Sequence, residues 1–331
     1  MSRILVVGPS WVGDMVMAQS LFKLLKQKDH GCSISVLAPA WTEPVVARMP
    51  QVAASISMPV GHGKLNLGER WQLGRELKGR FDQAIVLPGS LKSALIPFFA
   101  GIKQRSGFTG EQRYGLLNDR RTLDKSRMPY HLQRVASLAE SPAAAPLSLE
   151  NIPWPRLNID ADNQGKVATA FGIAEGEPVL ALCPGAEFGP AKQWPARHFS
   201  EVARDRLEHG WKVMIMGSEK DQGIARVISA AAPGCIDLTG RTTLGDAIDL
   251  MALASHVVTN DSGLMHIAAA LDCEVIALYG SSTDAYTPPL SDNAHRLYLD
   301  LECRPCFQRI CPLGHLDCLN KLPVSRVTEL F

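Results

Sequence analysis

The sequence predicts an α/β protein of two doubly wound domains, and three observations support this fold class. Short apolar runs that end near glycine alternate with apolar residues at helical spacing, which is typical of buried parallel strands joined by helices. This alternation begins at residue 3 and starts again near residue 179. Between the two series, residues 141–155 contain four prolines and three consecutive alanines, the composition of a linker. We therefore expect domains at residues 1–158 and 159–331, with a cleft between them.

The elements follow in order along the chain. Residues 3–8 (RILVVG) predict a strand, and Met17, Leu21 and Leu24 recur behind it at helical spacing. The next predicted strands of the first series cover residues 33–38, 83–87 and 105–108. In the second series, the predicted strands cover residues 179–183, 212–216, 256–259 and 274–279, and the predicted helices cover residues 198–207, 246–254 and 264–271. Ligands of such sheets bind beyond the carboxyl ends of the strands, so chemistry is expected in the loops that follow them.

Composition limits the class of protein. Of 331 residues, 46% are apolar and 20% are charged, which excludes a disordered or collagen-like chain. The longest apolar run, residues 94–102, is too short for a membrane span and favours a core segment over a lipid contact. The N-terminus has no signal-peptide pattern, and eight cysteines in this length indicate reduced thiols. We expect a cytoplasmic protein.

The net charge of +1 hides an asymmetry between the two halves. Residues 1–165 carry 20 basic and 13 acidic residues, whereas residues 166–331 carry 14 and 20. The basic excess favours an anionic partner for the first domain, although solvated helix faces would give the same counts. No basic run or finger motif is present, so nucleic acid is not an expected partner. The candidate anion contacts are Lys64, Arg70, Lys92, Arg105, Arg113, Arg120 and Arg121.

The loop after the first strand carries Asp14. Its spacing, with Gly8 and Gly13 before Asp14, imitates a phosphate-binding P-loop, but aspartate stands where that loop has lysine. The dinucleotide fingerprint G-x-G-x-x-G fails as well, because G-P-S opens the loop. A P-loop ATPase and a nicotinamide dehydrogenase are therefore disfavoured. Two interpretations of Asp14 stay open, a helix cap and a general base at the mouth of the sheet.

Two loops of the second half carry residues suited to phosphate and ribose. After the strand at 179–183, Gly185 and Ala186 permit close approach of a ligand to the backbone. In the same loop, Lys192 can place a positive charge on a phosphate. Glu219 follows the next strand, where its carboxylate could accept ribose hydroxyls or cap a helix.

A third loop of the second half follows the strand at 256–259. Asp261, Ser262 and Gly263 open a helix whose free N–H groups form an anion site, and His266 lies one turn further on. A single histidine of this kind can equally be a packed polar residue.

Two further motifs contain residue types that ligate metals. Asp160 and Asp162 form the D-x-D string of metal-dependent sugar transferases, but their position at a helix start favours a cap. Near the C-terminus, four cysteines lie within 16 residues and His315 lies among them. Thiolates at such spacing can hold zinc, although reduced or reversibly oxidised thiols are the favoured interpretation. These cysteines are Cys303, Cys306, Cys311 and Cys318.

Several stretches resemble the bacterial ADP-heptose:lipopolysaccharide heptosyltransferases. They include GPSWVGDMVMAQSL, PGAEFGPAKQWP and TNDSGLMHIAAAL with YGSS, and together the matching stretches run from residue 4 to about residue 290. The motif GPSWVGDM, with its tryptophan, resembles the same motif in the family members that add the second heptose. The resemblance implies a GT-B architecture, in which two Rossmann-like domains face each other across a central cleft.

The resemblance also implies a reaction and roles for residues. The reaction is an inverting, metal-independent transfer of L-glycero-D-manno-heptose from ADP-heptose to the first heptose of the lipopolysaccharide inner core, without a cofactor. By position, Asp14 corresponds to the catalytic base, Lys192 to the diphosphate cation and Glu219 to the ribose partner. The other residues that correspond to the donor site are Gly185, Ala186, Thr243, Leu244, Asp261, Ser262, Gly263 and His266.

The implied partners are ADP-heptose and a lipid-A-linked heptosyl-Kdo acceptor, and the implied location is the cytoplasmic face of the inner membrane. A nucleotide-sugar epimerase or hydrolase on the same fold is the alternative, since fold does not fix function. A non-catalytic binder would keep the loops of the second half without needing an acid at position 14. Dependence of turnover on a lipid-linked acceptor separates these possibilities.

Overall fold

The computed structural model describes residues 2–61, 63–174 and 176–331. The chain divides into two compact units, one up to Arg156 and one from Leu157 onward. Each unit contains one six-stranded sheet, and every strand pairing in both sheets is parallel. The α/β fold class with two Rossmann-like units is therefore confirmed.

The first unit has its sheet in the order β3-β2-β1-β4-β5-β6. Its strands are β1 (Arg3–Val7), β2 (Ser33–Ala38), β3 (Val52–Ser57), β4 (Gln83–Val86), β5 (Gln104–Phe108) and β6 (Asp119–Arg121). Its helices are α1 (Val12–Lys28), α2 (Glu43–Ala47), α3 (Leu67–Glu76), α4 (Leu95–Phe99) and α5 (His131–Ala136). The central strands are apolar along their length because helices cover both faces of the sheet.

The second unit repeats this design with the order β12-β11-β10-β7-β8-β9. Its strands are β7 (Val179–Cys183), β8 (Lys212–Ile215), β9 (Ile236–Asp237), β10 (His256–Asn260), β11 (Glu274–Leu278) and β12 (Ala294–Leu297). Its helices are α6 (Ala161–Phe171), α7 (Ala196–Glu208), α8 (Gln222–Ala231), α9 (Leu244–Met251), α10 (Gly263–Ala270), α11 (Asp317–Asn320) and α12 (Ser325–Thr328). Trp194, Phe199 and Leu319 are fully buried in its core.

Both sheets change direction of winding at the same place. In the first unit the switch lies between β1 and β4, and in the second unit it lies between β7 and β10. The carboxyl ends of the two strands at a switch point diverge into helices on opposite faces, which leaves a crevice for a ligand. The loops that follow β1, β7 and β10 are therefore the positions to which the fold assigns binding.

The four strands that the sequence analysis did not predict are the edge strands of the two sheets, β3, β6, β9 and β12. β3 is mostly exposed, while β6 is three residues long and β9 two. An edge strand is covered less completely, so it lacks the continuous apolar run by which central strands are recognised.

Two expectations about short segments are confirmed. Asp160 is the N-cap of α6 and accepts a hydrogen bond from the Asn163 backbone N–H at 3.0 Å, so the D-x-D string begins a helix. In α4, Leu95, Ile96 and Pro97 are buried, which makes this apolar segment part of the core. None of the helices in the described part of the chain is both long and apolar enough to cross a membrane.

Candidate functional site

The loop after β1 is tightly held and places Asp14 in the first turn of α1. Gly8 donates its backbone N–H to Leu37 at 2.9 Å, and a β-carbon at Gly8 would lie 2.6 Å from the Met15 methyl group. The Trp41 indole N–H donates to the Ser10 carbonyl at 2.9 Å. These contacts fix the loop at the switch point of the first sheet.

Asp14 lies beside a histidine that the sequence analysis did not single out. Trp11 is the N-cap of α1, so Asp14 stands at the third helical position. Its Oδ1 lies 3.8 Å from Nε2 of His131, the first residue of α5. Burial lowers the pKa of His131 and the Asp14 carboxylate opposes that shift, so burial favours the neutral imidazole. No sequence motif marks His131, because its importance comes only from packing of α5 against α1.

In the second unit, Asn260 joins the loops after β7 and β10. Its side chain is fully buried, accepts a hydrogen bond from the Trp194 backbone N–H at 3.0 Å and donates one to the Pro184 carbonyl at 2.7 Å. A side chain at Gly185 would collide with the Asp221 carboxylate, which shows how closely the loop after β8 approaches this backbone. The backbone of the predicted Gly185–Ala186 segment is thus fixed from both sides.

Lys192 and Asp261 form the charged centre of these loops. The Lys192 ammonium donates to Asp261 Oδ2 at 2.5 Å, and the Ser282 hydroxyl donates to the same oxygen at 2.5 Å. Asp261 is 5% exposed and Lys192 17%. Asp261 therefore holds Lys192 in place. The sequence analysis missed Ser282, although its position in the G-S-S segment after β11 is the kind of loop that the fold favours.

The helix that follows Asp261 has a free N-terminus. Ser262 is the N-cap of α10, its side chain makes no capping hydrogen bond, and Gly263 is the first helical residue. The leading N–H groups of such a helix attract an anion. His266 is buried one turn further on.

The loop after β8 comes close to the segment before α9. A β-carbon at Gly240 would lie 3.0 Å from the Glu219 Cα, and Gly240 has a φ of +68° that favours glycine. Glu219 is exposed, and the capping of its turn is done by Asp221, which accepts from the Ser218 hydroxyl and N–H. Glu219 is therefore not the cap residue, and its carboxylate faces solvent.

Thr243 and Leu244 begin α9. The Thr243 hydroxyl donates to Asp246 at 2.7 Å and accepts from the Asp246 N–H at 3.1 Å in a capping box. Thr243 thus has a structural role of its own, and its predicted contact with the donor stays a prediction.

The buried side chain of Arg70 joins the segments that carry two predicted acceptor residues, Lys64 and Lys92. Arg70 is 4% exposed and donates to the carbonyls of Leu65 at 2.6 Å, Lys92 at 3.2 Å and Lys64 at 3.3 Å. Arg70 is therefore engaged within the first unit, which argues against its predicted contact with an anion. It brings Lys64 and Lys92 to the same region of the first unit.

Arg113 is also held inside the first unit, which argues against its predicted contact with the acceptor. It is 2% exposed and donates to the carbonyls of Phe108, Pro88 and Ser90, and to the Ser93 hydroxyl. A guanidinium that donates to several buried acceptors has fewer donors left for a ligand. Arg120, by contrast, is exposed, with its guanidinium 5.1 Å from the Tyr114 ring centroid.

The cysteines divide into two groups. Cys32, Cys183 and Cys273 are buried and Cys235 is half-buried, and all eight cysteines are free thiols. The tail cysteines Cys303, Cys306, Cys311 and Cys318 line one small cavity together with His315. Within residues 2–61, 63–174 and 176–331, no group of three histidine, cysteine or acidic side chains has the geometry of a metal site.

Comparison with known proteins identifies the class of this site. Residues 70–317 match the model of glycosyltransferase family 9 (heptosyltransferase). The lipopolysaccharide heptosyltransferase 2 of Salmonella typhimurium is 46% identical over 90% of this chain and 88% of its own length. The solved Escherichia coli ADP-heptose LPS heptosyltransferase II is 41% identical, with a TM-score of 0.89 over 99% of this chain and 97% of that one.

A more distant structure shares the fold. The Escherichia coli heptosyltransferase WaaC, solved with ADP, is 19% identical, with a TM-score of 0.73 over 99% of this chain and 98% of that one. The chain has the GT-B-like fold of these heptosyltransferases, with one Rossmann-like unit for each of its two sheets. The chain belongs to glycosyltransferase family 9, the heptosyltransferases. The alternative of a nucleotide-sugar epimerase or hydrolase is therefore set aside.

Proposed function

We propose that this heptosyltransferase takes heptose from ADP-heptose and transfers it, with inversion, to the first heptose of the lipopolysaccharide inner core. The observation that carries the proposal is 46% identity with a lipopolysaccharide heptosyltransferase 2 over 90% of the chain. The placement of Asp14 and Lys192 in loops at the two switch points supports it, because these are the positions at which such folds bind ligands.

The second unit binds the donor in this proposal. Lys192 contacts the diphosphate, and the N–H groups at the start of α10 contribute further positive potential. Asp261 and Ser282 hold Lys192 in its position. Gly185 and Ala186 let the donor approach the backbone, Glu219 accepts from the ribose, and Thr243 and Leu244 lie against the adenine. His266 completes the donor loop.

Asp14 acts as the general base. The acceptor hydroxyl must lose its proton as the bond between the anomeric carbon and the diphosphate breaks, and a carboxylate within hydrogen-bond reach can take that proton. The N-terminus of α1 stabilises the negative charge that this role needs. His131 borders the carboxylate and restricts its position. The leaving diphosphate is stabilised by side-chain and helix N–H donors, so no cofactor enters the reaction.

The first unit receives the acceptor, a heptosyl-Kdo-lipid A molecule. Lys64, Lys92 and Arg120 are the remaining cationic candidates for its phosphates and carboxylates. An acceptor of this kind is held in a membrane, so the enzyme works in the cytoplasm, peripherally at the inner membrane. The excess of basic residues in the first half suits an anionic lipid surface.

The test is the Asp14→Asn variant, assayed with ADP-heptose and with or without the acceptor. Asparagine keeps the shape and can still accept a hydrogen bond, so the fold should be preserved. We expect kcat to fall by roughly 10²–10⁴, the usual worth of a general base, while the affinity for ADP-heptose barely changes. Asp162→Asn, which removes an exposed acid from the first turn of α6, is the matched control.

Three outcomes would contradict this proposal. An Asp14→Asn variant that retains most of its turnover would rule out the base. Consumption of ADP-heptose without any acceptor would point to a hydrolase or epimerase. A strict requirement for a divalent cation, seen as loss of transfer with chelator, would contradict the metal-independent departure of the diphosphate.

A further inference from the structure

The cysteine-rich tail packs directly on the loop that carries Lys192. The Ala191 backbone N–H donates to the Arg309 carbonyl at 3.1 Å, and the Ala191 carbonyl accepts from the Ser281 N–H at 3.1 Å. The Phe307 N–H donates to the Ser281 carbonyl at 2.8 Å. The tail is thus hydrogen-bonded to the loop after β7 and to the loop after β11.

This packing depends on a glycine three residues before Lys192. Gly189 has a φ of +150°, and a β-carbon there would lie 2.6 Å from the Arg309 carbonyl oxygen. Any larger residue would push the tail away from the loop. A second anchor is Arg304, which donates to the Gly280 carbonyl at 2.9 Å with its guanidinium 4.3 Å from the Tyr298 ring centroid. The position of Arg309 relative to Lys192 is therefore fixed by backbone contacts.

Two cations meet at one aromatic ring. The Lys192 ammonium lies 5.1 Å from the centroid of the Phe188 ring, and the Arg309 guanidinium lies 5.3 Å from the same centroid. Both distances lie within the range of a cation–π contact, so the aromatic face partly compensates each charge. The loop and the tail therefore present two cationic groups at one ring, where a polyvalent anion can bind.

The local charges leave Arg309 available for that anion. Asp261 already neutralises Lys192, and Lys220 pairs with Glu187, the exposed acid of the same loop, at 2.6 Å. Arg309 is exposed and forms no ion pair within the described part of the chain. A diphosphate carries at least two negative charges, which the neutral Lys192–Asp261 pair cannot balance alone. A guanidinium can bind two phosphate oxygens at once.

We propose that Arg309, carried by the cysteine-rich tail, is a second diphosphate-binding residue of the donor site. This inference rests on the proposed binding of ADP-heptose at Lys192. In it, the tail completes the donor site, because Lys192 and Arg309 both lie at the Phe188 ring. The diphosphate gains its net positive environment from Arg309.

The experiment is calorimetry of ADP and adenosine binding to Arg309→Gln and Arg309→Lys. Loss of one charge-assisted contact should weaken ADP binding about tenfold or more in Arg309→Gln. Adenosine, which has no phosphate, should bind as it does to the parent. Arg309→Lys keeps the charge but loses the planar fork, so its affinity for ADP should lie between that of the parent and that of Arg309→Gln. Arg226→Gln, at an exposed site on α8, removes the same charge from the same unit and should change nothing.

The outcomes separate this inference from the proposed function. If Lys192→Met weakens ADP binding and Arg309→Gln does not, the donor site stands and the role of Arg309 is refuted. If neither substitution changes ADP affinity, the donor site itself is misplaced. If Arg309→Gln leaves ADP binding intact and instead raises the KM for the acceptor, the arginine serves the acceptor's phosphates, and the inference is again refuted.

Discussion

The Lys192–Asp261 pair allows stability and donor affinity to be tested separately. The two groups are 2.5 Å apart, Asp261 is 5% exposed and Lys192 is 17% exposed. The substitution Lys192→Met keeps the length of the side chain but leaves a buried carboxylate without its cation. Removing one partner of a buried pair costs about 3–5 kcal/mol, and the residual exposure of Lys192 reduces this to about 2–4 kcal/mol. ADP affinity should fall by roughly 1.5–3 kcal/mol through loss of the phosphate contact.

A double-mutant cycle distinguishes the two effects. Adding Asp261→Asn to Lys192→Met removes the uncompensated charge and should recover at least about 1 kcal/mol of unfolding free energy. It cannot restore ADP affinity, because the cation is still missing. Urea unfolding of the parent, both single variants and the double variant measures the coupling, and calorimetry measures ADP binding. Coupling below about 0.5 kcal/mol, or recovery of ADP affinity in the double variant, would refute the assigned roles.

Three further predictions concern other parts of the chain. Arg113→Gln should lower the unfolding free energy by about 2–4 kcal/mol, because several carbonyls lose a charged donor, and should leave the acceptor KM of the folded protein unchanged. Arg120→Gln should leave the unfolding free energy unchanged and raise the acceptor KM. Urea unfolding and steady-state kinetics of both variants measure the two quantities. Burial raises the pKa of Cys235 to about 11 and of Cys273 to about 12, whereas backbone N–H groups lower the pKa of Cys311. A thiol reagent at pH 7 should therefore modify Cys311 well before Cys235 and Cys273. Burial lowers the pKa of His131, His198 and His256 in the folded state. Near the ordinary histidine pKa of about 6.5, the unfolded state therefore binds more protons than the folded state, and acid favours unfolding. The urea midpoint should fall as the pH drops from about 7.5 to about 5, and it should fall less steeply in His198→Gln. A midpoint that rises on acidification would contradict the last of these.

The fold was predictable where strands are buried on both faces. β1, β2, β7 and β11 are short apolar runs with a distinct end, so their positions follow from the sequence alone. The edge strand β3 could not be found in this way, because its residues are largely exposed. Its place in the sheet is fixed by hydrogen bonds to β2, a contact that leaves no periodicity in the sequence.

The candidate site was predictable in its loops but not in its pairings. That Lys192 and Asp261 each follow a strand can be read from the sequence, whereas their contact requires β7 and β10 to be neighbours in the sheet. The charge of an arginine is visible in the sequence, but its burial is not. Arg113 and Arg120 are therefore indistinguishable by composition, although one binds backbone carbonyls and the other faces solvent.

Asp14 can support the N-terminus of α1 and act as a general base at the same time, so kinetics must test the second role. Trp11 occupies the N-cap, so the carboxylate stands three residues further on, at the third helical position, where it can interact with the helix N-terminus. A helical side chain points back toward the N-terminus of its helix, which directs Asp14 toward the loop at the carboxyl end of β1. Support of the helix alone would not require an imidazole 3.8 Å from the carboxylate. A base, by contrast, needs its carboxylate confined. His131 borders Asp14, and because burial lowers the pKa of that histidine, the uncharged imidazole, which would not neutralise the carboxylate, is favoured.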